Sequence, residues 1–125
     1  MPSKKLLSAL IMASTLGASM LTSSAQADIK VGVVTSSTGP IALVGIPQKN
    51  SVPLLPDSAG GERIRYIALD DGSDPTAAVK AFKKLINEEK VDAIIGPSGT
   101  AAAMGVIQFV AESGTPMLAP TGSAA

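Results

Sequence analysis

The chain has no cysteine, no histidine and no tryptophan, and only one tyrosine and two phenylalanines among 125 residues. Without cysteine there is neither a disulfide nor a thiolate metal site, so an exported chain of this kind depends on its core alone. The absence of histidine removes the commonest general base and the commonest transition-metal ligand. No nucleophile–base pair can then be assembled short of a Ser–Lys arrangement, which points away from catalysis. The scarcity of aromatics, together with balanced charge (ten basic and ten acidic residues), gives no stacking platform and no basic patch for nucleic acid.

The first residues read as an export signal. Lys4 and Lys5 precede the apolar stretch Leu6 to Leu21, and Ala25-Gln26-Ala27 is an A-x-A cleavage site. Ser8, Ser14, Thr15 and Ser19 break the apolar run, which argues against a retained membrane span. Residues 1–27 are therefore expected to be a signal peptide, and residues 28–125 the mature chain. Both lysines of the signal leave with it and no acid does, so the mature chain is mildly acidic.

What is present is a repeating β/α pattern. Asp28 to Val34 is a β-rich run, followed by the hydroxyl-rich loop Thr35 to Pro40. Ile41 to Ser58 predicts a short or broken helix, with Pro47 suited to a first turn and Pro53 and Pro56 as interruptions. Gly60-Gly61 marks a turn, and Arg63 to Leu69 a second strand. Asp74 followed by Pro75 predicts a capped helix whose apolar face is Ala78, Val79, Phe82, Leu85 and Ile86. Val91 to Ile95 is a third strand, Thr100 to Ser113 an Ala-rich helix ended by Gly114, and Thr115 to Ala119 a fourth strand. The expected fold class is α/β: a Rossmann-like open parallel sheet with helices on both faces.

Open parallel sheets bind ligands beyond the carboxyl ends of their strands. That rule singles out the loops Thr35 to Pro40, Gly96 to Thr100 and Pro120 to Ser123, with Ser98, Thr100, Thr121 and Ser123 as candidate ligand-binding residues for a small polar solute. The Gly96–Thr100 loop runs into a helix whose N-terminus favours an anionic group. Simple capping by Ser98 or Thr100 is the competing reading. The loop lacks the lysine and spacing of a phosphate-binding loop, and no dinucleotide fingerprint is present. Asp70, Asp71 and Asp74 are compatible with a divalent cation, but one capping Asp in a polar loop explains them more simply. No cofactor and no metal is expected.

Four stretches, IKVGVVTSSTGP (Ile29 to Pro40), LDDGSDPTAAV (Leu69 to Val79), KVDAIIGPSGT (Lys90 to Thr100) and TPMLAPTGSA (Thr115 to Ala124), resemble the substrate-binding proteins of branched-chain amino-acid ABC transporters, in the type I periplasmic binding protein family. The resemblance implies a non-enzymatic, periplasmic receptor of two Rossmann-like lobes joined by a hinge, monomeric at full length, that hands an amino acid to a membrane permease. By position it implies that Thr100 and its loop hold the α-carboxylate, and that the Thr121 backbone and the Ser123 hydroxyl contact the amino group or carboxylate. Val44 stands where the family often places an aromatic residue facing the solute's side chain. Family members are considerably longer, so residues 28–125 correspond to a truncated N-terminal lobe, which alone is expected to bind amino acids very weakly or not at all. Two other readings remain: a ligand-sensing domain of the same fold for an amide or amino acid, and a flavodoxin-like or phospho-receiver domain using Asp70 and Asp71.

Overall fold

The computed structural model of the chain describes residues 28–121, so the signal-peptide expectation and Ser123 lie outside the described residues. Five strands form one sheet: β1 (Ile29–Thr35), β2 (Ser58–Ala59), β3 (Glu62–Asp70), β4 (Ala93–Ile95) and β5 (Met117–Leu118). Their spatial order is β2-β3-β1-β4-β5. β1 pairs in parallel with β3 and β4, and β4 with β5; only the two-residue β2 is antiparallel. The expected parallel α/β sheet is therefore present, with one addition. The chain reverses at Gly60 and Gly61, both in left-handed backbone, and β2 folds back on β3 as a short hairpin. A two-residue strand gives too short an apolar pattern to be read from sequence.

Three helices connect the strands: α1 (Ala42–Ser51, continuing as a 3-10 turn over Val52–Leu54), α2 (Pro75–Lys83, widening into a π-turn over Lys84–Glu88) and α3 (Thr100–Ser113). α2 starts where its sequence predicts. Asp74 adopts an extended conformation and its carboxylate accepts from the amides of Thr76 and Ala77, while Pro75 occupies the first helical position. Its face Ala78, Phe82 and Leu85 is buried, with Val79 and Ile86 packed at the margin. α3 joins it through Ala102, Val106 and Val110, and the two helices cover Val34 and Ile94 of the sheet. Full burial of Phe82 contributes about 1.5–3 kcal/mol. Gly114 ends α3 in a left-handed conformation, as a C-terminal glycine does.

α1 lies over the opposite face and departs from expectation. It begins at Ala42, so Pro47 sits inside the helix and not in its first turn. The proline removes one helical donor, and the helix continues past it to Ser51 before tightening around Pro53. No side chain caps its start. Its one buried residue is Gly45, because α1 presses against the loop after β1: a Cβ at Gly45 would sit 2.0 Å from the Ser36 carbonyl oxygen. Among the described residues no helix is long and apolar enough to cross a membrane.

Candidate solute-binding rim

The registers bring Thr35 beside Asp70, Val33 beside Ile95, and Ile95 beside Leu118. The carboxyl ends of four parallel strands thus share one edge, and the loops that follow them form a rim there. The strand order reverses between β1 and β4, so this edge holds the switch point at which such sheets bind ligands.

Hydrogen bonds stitch the loops together. Asp71 is buried and follows β3 directly; its Oδ1 accepts from the Ser36 hydroxyl (2.6 Å) and the Ser73 amide (2.9 Å). Ser73 in turn donates its hydroxyl to the Thr38 carbonyl (2.7 Å). Asp70 faces the other way, toward water, and accepts from the amides of Ser37 and Gly72 and from the Thr38 hydroxyl. Its partial burial works to raise the carboxyl pKa, but the bonds from Gly72, Thr38 and Ser37 outweigh it and hold the group below the ordinary carboxylate value. Asp74, bonded to the α2 amides, is lowered as well. Asp70 and Asp74 spend their lone pairs on local donors, whereas Oδ2 of the buried Asp71 has no hydrogen-bond partner, and among the described residues no acidic cluster could hold a metal ion.

Ser98 is buried and points inward. Its oxygen accepts from the Ser36 amide at 3.0 Å, and its hydroxyl donates to Oε1 of Gln48. The N-cap of α3 is Gly99, which supplies no side chain, and Ser98 is engaged away from the helix start. The Gly96 backbone just before has φ +122°, and a Cβ there would lie 2.1 Å from the Val34 carbonyl oxygen, so this strand-to-loop corner needs glycine.

Thr100 opens α3 and lines a recess of about 200 Å³ with Ser36, Ile41, Ser73, Gly99 and Ala102. The recess lies at the N-termini of both α2 and α3, where helix dipoles favour a negative group. A second, largely apolar hollow of about 160 Å³ lies under α1, lined by Val33, Gln48, Leu55, Ile95 and Pro120. Thr121 is half-buried just past β5. Val44 is 49% exposed on α1, one turn before Gln48 and on the same side of the helix. The structure therefore gathers Ser98, Thr100 and Thr121 at one rim, with Ser98 committed to bracing it. Gln48 went unnoticed in the sequence because a lone glutamine in a proline-interrupted segment carries no motif.

A profile of the family described as periplasmic binding protein matches residues 28–125. The chain belongs to the periplasmic binding protein family. The Leu/Ile/Val-binding protein BraC3 of Rhizobium johnstonii is 30% identical over 106 residues, which cover 80% of this chain and 29% of that protein. An extracellular ligand-binding receptor from Rhodopseudomonas palustris superposes with a TM-score of 0.77 at 45% identity, covering 79% of this chain and 27% of the receptor. A solute-binding protein of an ABC transporter from the same species, solved in complex with 3,4-dihydroxy benzoic acid, superposes at 0.73 with 26% identity over 78% of this chain and 28% of that one. The chain thus spans under a third of the length of these relatives. The family is one of binding proteins and not of enzymes.

Proposed function

We propose that the chain is the N-terminal lobe of an exported solute-binding protein that captures a branched-chain amino acid and delivers it to an ABC-transporter permease. The observation that carries this reading is the common rim: Thr100 at the dipole end of α3 and Thr121 beyond β5 stand on one sheet edge, beside a recess that suits a carboxylate. Thr100 and its loop hold the carboxylate, the segment from Thr121 to Ser123 takes the ammonium side, and Val44 faces the solute's side chain. The likeness to BraC3 supports an aliphatic amino acid. Residues 1–27 direct export and are removed after Ala27, which N-terminal sequencing of the periplasmic product checks.

A second solute class has its own support. The likeness to the protein solved with 3,4-dihydroxy benzoic acid favours an aromatic carboxylate, which meets the same helix ends and rests its ring on the apolar side of α1. Titration of the ¹⁵N-labelled chain with L-leucine and, separately, with 3,4-dihydroxybenzoate decides between them. At about 10 mM solute, a site with Kd of about 1 mM is nearly saturated. Amide shifts concentrated at Gly99 to Ala101 and Thr121 with leucine support the amino-acid reading. The same shifts with the benzoate alone transfer it to aromatic acids, and shifts confined to residues away from this rim with either solute overturn it.

A further inference from the structure

The two loops assigned to the solute, Gly96 to Thr100 and Pro120 onward, follow different strands and need something to fix the gap between them. One side chain reaches both. The Gln48 Nε2 donates to the Pro120 carbonyl at 3.2 Å, and its Oε1 accepts the Ser98 hydroxyl. Ser98, only 4% exposed, in turn accepts the Ser36 amide. An unbroken relay therefore runs from the loop after β1, through the loop after β4 and across α1, to the segment after β5. Partners 50 and 72 residues apart in sequence meet on one amide group.

We propose that Gln48 is the positioning residue of the rim, setting the separation between the Thr100 loop and the Thr121 segment through its two hydrogen bonds. The inference rests on the solute-binding reading above. Its outer arm ends on the peptide group that joins Pro120 to Thr121, and its inner arm on a serine two residues before Thr100. Only a primary amide offers an acceptor and a donor at this spacing: glutamate keeps the acceptor and loses the donor, and methionine keeps the length and loses both. α1, which carries Val44, is thereby tied to the loops, so the face presented to the solute and the groups gripping it move together.

The ¹⁵N-labelled full chain and its Gln48→Met and Gln48→Glu variants test this, because the ¹⁵N shift of Thr121 senses hydrogen bonding to the Pro120 carbonyl, and exchange of the Ser36 amide senses Ser98. In Gln48→Met the Thr121 resonance should move and Ser36 exchange should speed up about tenfold. In Gln48→Glu the Thr121 resonance should move while Ser36 exchange stays within about twofold, since the acceptor for Ser98 remains. L-leucine should then bind about fivefold more weakly to Gln48→Glu, at an unfolding midpoint near that of the unsubstituted chain. If both variants leave Thr121 and Ser36 unchanged, or if Thr121 moves with no change in leucine affinity, the positioning role is wrong. Should Gln48→Met not fold, Ser98→Ala cuts the inner arm alone and is expected to free Ser36 without moving Thr121; movement of both, or of neither, overturns the relay. Leucine-induced shifts confined to residues away from Thr100 and Thr121 refute the solute reading, and that result is separate from the Thr121 and Ser36 signals that report the geometry.

Discussion

The two faces of the sheet are built on different principles. On one, α2 and α3 bury Ala78, Phe82, Leu85, Ala102, Val106 and Val110 against Val34 and Ile94, and hold the sheet by apolar packing. On the other, α1 buries nothing but Gly45, leaves Leu43 91% exposed and Leu54 85% exposed, and is fastened by backbone proximity and by the polar bonds of Gln48. The first face supplies stability. The second carries Val44, the residue assigned to the solute's side chain, and little of the folding free energy depends on what stands there.

That contrast can be broken by substitution, and the largest effect is expected on the packed face. Phe82→Ala should cost about 3–5 kcal/mol in chemical denaturation, enough to unfold a domain of ordinary stability. A cost under about 1 kcal/mol would show that this face is not the seat of stability. Asp71→Ala strips the Ser36 hydroxyl and the Ser73 amide of a buried acceptor and should cost about 2–3 kcal/mol, read by the same denaturation. Gly45→Ala forces a methyl against the Ser36 carbonyl and should cost about 1–3 kcal/mol, the one strong stability response available from α1. By contrast, Leu43→Ser and Val44→Ala should stay within about 0.5 kcal/mol, and a larger loss at either would mean that α1 packs against something.

The smallest effect is on pH dependence. The Asp70 and Asp74 carboxyls are both depressed in the folded chain. Their contribution is complete above the ordinary carboxylate pKa and fades as the pH falls through the depressed values. Thermal midpoints should therefore be level at neutral pH and decline in the acid range below about pH 4, less steeply in Asp74→Asn than in the unsubstituted chain.

The packed face was legible in the sequence, because its signals are local and redundant. Asp74-Pro75 marks one helix start, Ala78, Phe82 and Leu85 fall at helical spacing, and Gly114 follows the last turn of α3. The rim was legible only as a location, through the rule that strand ends gather on one edge. Which side chains brace it depends on contacts between residues far apart in the chain. Ser98 reads as a candidate ligand-binding hydroxyl or a cap, and the fold turns it inward. Asp71 reads as one of three loop acids, yet Asp70 beside it is solvated and Asp71 is buried, an alternation that appears only once β3 is paired with β1. α1 was the hardest segment, since three prolines in ten residues mask a helix that tertiary contact sustains.

The close approach at Gly45 has a consequence for how this molecule can diversify. A helix moored by its own main chain keeps its place whatever decorates its outer surface, so Leu43, Val44 and Ile46 are at liberty to drift. Paralogues sharing this mooring glycine could then exchange one cargo for another through a handful of point changes, with no redesign of the scaffold beneath.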